Sequence, residues 1–126
     1  MKYLIDAYAW IEYLEGSDAG KRIREIVAMH EAITLSITVA EVISKVKRKG
    51  LDEKVAYDAL MSNSVIIDFS SSTARSGGLI HAEIRKSVPN FGLVDSLLLA
   101  VARENKIKIV TGDHHFAGFK EAVFIQ

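Results

Sequence analysis

The stretch from Phe91 to Phe116 combines a helical pattern, a tight turn and a buried strand in one continuous piece of chain. Its apolar residues first recur at helical spacing, at Val94, Leu97, Leu98, Val101 and Ala102. A short β-branched run follows, at Ile107, Ile109 and Val110, and ends in Thr111-Gly112-Asp113. This order predicts a helix packed against a sheet, with Asp113 at the carboxyl end of a strand, where ligands bind in open parallel sheets.

Asp95 lies in the first turn of this predicted helix, on its apolar side. Steps of three, four and seven residues from Asp95 reach Leu98, Leu99 and Ala102, so the carboxylate points the same way as side chains that should be buried. A carboxylate in this place either caps the helix or serves a site at the edge of the sheet.

Other apolar runs alternate between strand and helix patterns along the whole chain. The predicted strands are Lys2 to Asp6, Ala32 to Ser36, Val65 to Phe69, Ile107 to Val110 and Val123 to Ile125, with helical patterns between them. Strands that are apolar on both sides and separated by helices indicate a parallel sheet covered on both faces. The sequence therefore predicts an α/β three-layer sandwich with a central, mostly parallel sheet, formed by residues 1–126 as a single domain.

Capping residues place the beginnings of several helices. Ser17 or Asp18 is expected to cap the second helix, and Asp52 the fourth. Thr38 is expected to cap the third helix, which places Glu41 in the first turn of that helix.

The chain is neutral and contains no cysteine. It carries 16 basic and 16 acidic side chains, so any nucleic-acid partner requires a local basic patch. The absence of cysteine excludes disulfides, thiol nucleophiles and zinc–thiolate sites, and it fits a reducing compartment. The first apolar run breaks at Asp6, too soon for a signal peptide, and no segment is long enough to cross a membrane. We expect a cytoplasmic protein.

Four acids from distant parts of the chain are expected to meet at the carboxyl edge of the sheet. Asp6 and Asp113 end predicted strands, whereas Glu41 and Asp95 open predicted helices that begin at that edge. Singly, each acid is explained by a helix cap, a loop or a helix dipole. Together, two carboxylates about 5 Å apart repel by about 3 kcal/mol at an effective dielectric near ~20, so the cluster needs protons or cations. Oxygen donors alone predict Mg²⁺ or Mn²⁺, which serve phosphoryl chemistry.

A basic run in the third helix helps to choose between kinds of phosphate ligand. Lys45, Arg48 and Lys49 are predicted to contact nucleic acid, although such a run also suits a solvated helix end. No glycine-rich phosphate loop follows the first strand, which argues against a nucleotide site. The residues themselves therefore favour a phosphate polymer over a nucleotide as the ligand.

The chain resembles the PIN-domain nucleases, and among them the small VapC-like toxins. The resemblance covers nearly the full length and is carried by LIDAYAWIEYLEG, ITVAEVISKVKRKG and GLVDSLLLAVARENKIKIVTGDHHF. The last segment is the most specific, because an aspartate at an apolar helix start, a strand and Thr-x-Asp-x-x-Phe occur in order.

The resemblance implies a metal-dependent endoribonuclease that hydrolyses RNA, and the toxin of a toxin–antitoxin pair. The metal-binding and catalytic acids that it implies are Asp6, Glu41, Asp95 and Asp113, with Thr111 as a polar helper beside them. It also implies a cognate antitoxin that blocks the site. Together with the prevalence of two-fold dimers among soluble oligomers, it predicts a homodimer.

Tyr8 departs from the pattern of the family, which commonly has a small hydroxyl or amide residue two positions after the first acid. The departure leaves a second function open, namely a PIN-like protein that binds RNA or a partner with weak or no nuclease activity. A phospho-acceptor receiver is a further alternative. It requires paired acids on the first strand, where this chain has a single Asp6.

His114 and His115 directly follow Asp113. Adjacent side chains on a turn are expected to diverge, so we predict that both histidines face the surface or the substrate and are not metal ligands. His30 and His81 are predicted to be structural.

Overall fold

The computed structural model describes residues 1–125 as a five-stranded sheet with helices on both faces. The strands are β1 (Lys2–Ile5), β2 (Glu31–Leu35), β3 (Val65–Ile67), β4 (Lys108–Thr111) and β5 (Ala122–Phe124). The helices are α1 (Ala7–Glu15), α2 (Asp18–Met29), α3 (Ser36–Arg48), α4 (Glu53–Asn63), α5 (Ser71–Ile84) and α6 (Leu93–Asn105). A short 3₁₀ turn, His114–Phe116, follows β4.

The sheet has the strand order β3-β2-β1-β4-β5, and every pair of neighbours is parallel. Because all five strands point the same way, their carboxyl ends meet at one edge. β1 and β4 lie side by side near the middle, so the residues that follow them are neighbours in space. The predicted α/β sandwich with a mostly parallel sheet is confirmed.

Alternate residues of the central strands enter two separate apolar cores. Ile5 and Val110 pack with α1, α2, α3 and α4 on one face. Leu4 and Ile109 pack with α5 and α6 on the other face. An all-parallel sheet requires both faces to be covered in this way, which explains why its strands are apolar at successive positions.

Most predicted element ends agree with the structure to within one or two residues. β1 ends at Ile5, because Asp6 instead caps α1 and accepts a hydrogen bond from the backbone of Ala9. The caps expected at Ser17 and Asp52 are confirmed. No helix in the described part of the chain is long and apolar enough to cross a membrane.

The start of α3 was predicted wrongly. The helix follows β2 directly, beginning at Ser36 after Leu35, and no side chain caps it. Thr38 is buried inside the helix, and within residues 1–125 its hydroxyl has no hydrogen-bond partner. The earlier start places Glu41 in the second turn of α3 and not in the first.

α1 is fixed to its neighbours from two sides. Trp10 Nε1 donates a hydrogen bond of 3.0 Å to Thr34 Oγ1, which in turn donates one of 2.8 Å to Ser64 Oγ. On the other side, a Cβ at Gly20 would overlap the backbone carbonyl of Glu12, so α2 can approach α1 this closely only with glycine there. These contacts fix the helix that carries the first acid of the predicted site.

Candidate metal centre

A cavity of about 630 Å³ opens at the carboxyl edge of the sheet, beside the ends of β1 and β4. The acidic residues that line it are Asp6, Glu41, Asp95 and Asp113. Tyr8 of α1 and the basic Lys45 and Arg48 of α3 also line it. The structure therefore brings together the four acids that the sequence singled out.

Asp6 is the buried acid of the cavity, with only 4% of its surface exposed. Its Oδ1 accepts a hydrogen bond of 2.8 Å from the backbone N–H of Ala9, and the Thr111 hydroxyl also bonds to its carboxylate. Thr111 Oγ1 accepts a further bond of 2.9 Å from the backbone N–H of Asp113. Thr111 is fully buried and does not line the cavity, but it joins the acid after β1 to the acid after β4.

Glu41 and Asp95 reach the cavity from opposite faces of the sheet. Asp95 lies in the first turn of α6, as predicted, and its carboxylate accepts a hydrogen bond from the backbone of Gly92. Glu41 comes from α3, and Lys45 follows it by one helical turn. Both acids are half-buried.

Burial and mutual repulsion raise the pKa of three of the four acids. Burial, with repulsion from Asp95 and Asp113, raises the pKa of Asp6 to about 7, although the bonds from Thr111 and Ala9 oppose the rise. The pKa of Glu41 also rises to about 7, because of burial and of repulsion from Asp95, against the attraction of Lys45. That of Asp95 rises to about 6, through burial and the charge of Asp113.

The donor set of the cavity fits a hard divalent cation. Its acidic residues offer carboxylate oxygens, and no thiolate or imidazole lines it within the described part of the chain. Mg²⁺ and Mn²⁺ favour oxygen ligands and retain several waters, for which the open cavity has room. Burial and repulsion both disfavour the ionised acids here, and a bound divalent cation would offset that cost.

The two adjacent histidines do not diverge, and that expectation was wrong. In the 3₁₀ turn the His114 and His115 rings lie 4.2 Å apart, inclined by 33°. The Nδ1 atoms of His114 and His115 lie 3.7 Å and 2.8 Å from Asp113 Oδ1. Ligand atoms of these three residues fall within 4.8 Å of one another. Because this group shares Asp113 with the acid cavity, it forms the rim of the same site.

His115 is a residue whose part in the site was missed. Asp113 Oδ1 accepts a hydrogen bond of 2.9 Å from the backbone N–H of His115, and the ring Nδ1 of His115 lies 2.8 Å from the same oxygen. The signal in the sequence was the short spacing of Asp113 and His115 just after a strand, where a tight turn folds the chain back on the carboxylate. His81 also has a structural bond, from its Nε2 to the carbonyl of Phe91 at 3.0 Å.

The predicted basic residues of α3 separate into two groups. Lys45 and Arg48 line the cavity, one helical turn apart. Lys49 forms an ion pair with Glu15 at the end of α1 and does not line the cavity. The surface next to the acids therefore carries two of the three predicted cations.

Comparison with known proteins identifies the family. The PIN domain model matches residues 3–122, and the chain belongs to the PIN domain family. No curated protein sequence matches it.

Solved structures share the fold over nearly the whole chain. A chain of a toxin–antitoxin complex from Klebsiella pneumoniae is 25% identical, with a TM-score of 0.80 over 98% of each chain. A chain of VapBC2 from Rickettsia felis, solved bound to a DNA fragment from their promoter, is 21% identical, with a TM-score of 0.73 over 98% of this chain and 97% of that one. VapC20 from Mycobacterium tuberculosis, described as a sarcin–ricin loop cleaving toxin, is 16% identical, with a TM-score of 0.71 over 94% and 97%. The fold is thus the one found in VapC toxin structures.

Proposed function

We propose that the protein is a metal-dependent endoribonuclease that hydrolyses RNA phosphodiester bonds, and the toxin of a toxin–antitoxin pair. The observation that carries the proposal is the meeting of four carboxylates and two basic side chains in one cavity of a PIN domain. The similar Klebsiella pneumoniae chain comes from a toxin–antitoxin complex, and VapC20 is described as cleaving the sarcin–ricin loop, which supports both parts of the proposal.

The acids have the role of metal ligands in this proposal. Asp6, Glu41, Asp95 and Asp113 would hold Mg²⁺ or Mn²⁺, which when bound would neutralise charge on the phosphate and make a water easier to deprotonate. Thr111 favours the ionised, ligating form of Asp6, because its hydrogen bond lowers the pKa of that carboxyl group against the larger effect of burial.

The basic residues would hold the RNA backbone beside the acids. Lys45 and Arg48 line the same cavity, and they offset the negative charge that would otherwise repel a phosphate. Lys49 is proposed as a further contact on the same helix, after release from Glu15.

The partners proposed are an RNA substrate, a cognate antitoxin that covers the acid cavity, and a second copy of the chain. We further propose that residues 1–126 form a single domain. A cytoplasmic location also stays a prediction.

A PIN-like protein with weak or no nuclease activity is the second candidate. Tyr8 favours it, because a large side chain lines the cavity where the family commonly has a small polar residue. In that case the protein would bind RNA or a partner through the same surface.

The proposal is tested by incubating the purified protein with single-stranded RNA in Mg²⁺, in Mn²⁺ and in chelator. We expect cleavage with either metal and none with chelator. Asp95→Asn should abolish cleavage, because it removes a proposed ligand, whereas Asp58→Asn on the exposed side of α4 should leave it unchanged. RNA binding without cleavage in either metal would favour the second candidate. Cleavage that persists in Asp95→Asn would contradict the assigned site.

A further inference from the structure

We propose that the Tyr8 ring is a stacking platform for a nucleobase that lies next to the phosphodiester bond to be cut. The inference rests on the proposed ribonuclease function and adds to it a subsite for one base. It assigns a role in substrate binding to the residue at which the chain departs from the common pattern of the family.

Tyr8 is placed beside the reacting region by the first turn of α1. Asp6 caps that helix, and Tyr8 is its second residue, so the ring starts from the same short piece of backbone as the buried acid. Tyr8 lines the cavity together with the four acids, and its side chain is half-buried. It is the one aromatic residue among those that line the cavity within the described residues.

Gly112 makes room for this ring. A Cβ at position 112 would overlap the Cε1 and Cδ1 atoms of Tyr8. The backbone of Gly112 is not left-handed, so its conformation does not require glycine there. Glycine is required at this position by the close approach of the Tyr8 ring. Gly112 therefore allows the ring to pack closely against the loop between Thr111 and Asp113.

The packing of Tyr8 does not explain its presence as an ordinary core residue. Neither apolar core of residues 1–125 includes Tyr8, whereas Trp10 and Tyr13 of the same helix belong to the core beneath α1. The half-buried Tyr8 ring lies outside both cores and lines the cavity, so a group that enters the cavity can contact it.

A nucleobase is the part of an RNA substrate that suits such a ring. When a phosphodiester is held at the acids, the bases on either side of it are within one nucleotide of the cavity. Unpaired bases in RNA are commonly bound by stacking on aromatic side chains, and this binding tolerates different bases. Apart from the acids, Lys45 and Arg48, the other residues that line the cavity are small or aliphatic, namely Ala7, Ala40, Ser44 and Leu98, and Tyr8 is the aromatic ring among them.

The proposal is tested with single-stranded RNA oligonucleotides in which one nucleotide at a time lacks its base. In the parent protein, removal of one base next to the cleaved bond should lower kcat/KM about tenfold, the magnitude of one stacked base. The loss should appear mainly in KM. In Tyr8→Leu the same removal should have almost no effect, because the platform is already absent, and Tyr8→Phe should behave as the parent.

A binding measurement separates stacking from effects on catalysis. With Ca²⁺ in place of Mg²⁺, an oligonucleotide with 2-aminopurine at the identified position should lose fluorescence on binding the parent and Tyr8→Phe, but not on binding Tyr8→Leu. Gly112→Ala should reduce the change in fluorescence, since the added Cβ displaces the ring. Gly78→Ala is the matched control, because a Cβ there meets nothing within 4 Å.

Failure of the stacking platform can be distinguished from failure of the proposed ribonuclease function. If the parent cuts RNA but the effect of base removal is the same in Tyr8→Leu, the stacking platform is wrong and the ribonuclease proposal stands. If the parent cuts no RNA with either metal, the proposed function fails and the inference fails with it.

Discussion

Asp95 and Asp113 each act by their charge on two other acids of the cavity. Asp95 raises the pKa of both Asp6 and Glu41, and Asp113 raises the pKa of both Asp6 and Asp95. A carboxyl group with a raised pKa keeps its proton in the folded state at a pH at which the unfolded chain has lost it. Its contribution to stability is therefore complete below the unfolded pKa and is lost as the pH rises through the folded pKa.

This electrostatic arrangement predicts how stability depends on pH without metal. The pKa values of Asp6 and Asp95 rise from 3.8 to about 7 and about 6. The free energy of unfolding in chelator should therefore fall between about pH 4, close to the unfolded pKa values, and about pH 7. Asp95→Asn should be more stable than the parent by about 1 kcal/mol at the upper end and differ little at the lower end, because the parent acids are then mostly protonated.

Urea unfolding at the two pH values measures both effects, with Asp58→Asn as the exposed control. Added Mg²⁺ should stabilise the parent more than Asp95→Asn, since the parent keeps the full set of ligands. A variant that is less stable than the parent at the higher pH, and gains equally from metal, would show that Asp95 is only a structural cap.

Single residues could be predicted where a short pattern determines their position. Asp113 follows a β-branched strand, and Asp95 points the same way as Leu98 and Ala102. Local periodicity was therefore sufficient to place both acids. The contacts of His114 and His115 could not be predicted in this way. Their approach to Asp113 depends on the 3₁₀ turn, whose backbone folds both rings back towards the preceding carboxylate.

α3 contributes both an acid and the cations that accompany it. Glu41 and Lys45 are one helical turn apart, and Arg48 continues along the same side to the rim of the cavity. The helix thus presents a ligand and a phosphate contact in fixed relative positions.

Charge removal on this face of α3 should weaken RNA binding in a salt-dependent way. The double variant Lys45→Gln and Arg48→Gln should lower the slope of log affinity against log salt by about 1.4, or about 0.7 for each phosphate contact to a single strand. Lys49→Gln should have a smaller effect, because that ammonium already pairs with Glu15. The measurement is a salt titration of RNA binding in Ca²⁺.

Lys47→Gln, an exposed position on the same helix that does not line the cavity, is the matched control. An equal loss of slope in Lys47→Gln would mean that the basic run acts only through its overall charge. No change in the double variant would leave α3 without a specific role in RNA binding.

Most ends of helices and strands could be predicted to within one or two residues, because continuous apolar runs mark the buried strands and helical periodicity marks the segments between them. The exception was the start of α3, where the strand passes into the helix with no loop and no capping side chain between Leu35 and Ser36. Propensity for capping pointed to Thr38, but tertiary packing buries that residue inside the helix. Glu41 was still correctly placed at the cavity edge, since a shift of three residues leaves it near the beginning of the helix.

For the whole molecule, the shared edge of the strands could be predicted but their order could not. Parallel connections bring all carboxyl ends together whatever the order is. That β1 and β4 are neighbours depends on pairing between distant segments, such as Tyr3 with Lys108, which leaves no local pattern. This pairing is what brings Asp6 next to the loop that carries Asp113.

The surface around α4 predicts how the molecule associates. Large apolar side chains are exposed there, at Leu51 (50%), Val55 (61%), Met61 (46%) and Val65 (50%). Exposed apolar groups of this kind mark interaction surfaces. We therefore expect a homodimer through α4, and the double variant Val55→Lys and Met61→Lys should shift it to monomer in light scattering coupled to gel filtration.

Met29→Lys is the control for that experiment, because Met29 is also exposed (78%) but lies at the end of α2. A parent protein that remains monomeric at high concentration would contradict the predicted homodimer. A dimer that survives the double variant would instead place the interface elsewhere on the surface.

The pairing of β1 with β4 also affects when the cavity forms during synthesis. β1 leaves the ribosome first, yet one of its neighbours in the sheet is a strand made more than a hundred residues later. Until β4 arrives, Asp6 has neither Thr111 nor Asp113 beside it, and three of the four acids cannot complete a site. A chain of this kind could therefore not assemble the cavity in which RNA would be cut until β4 has been made and has paired with β1.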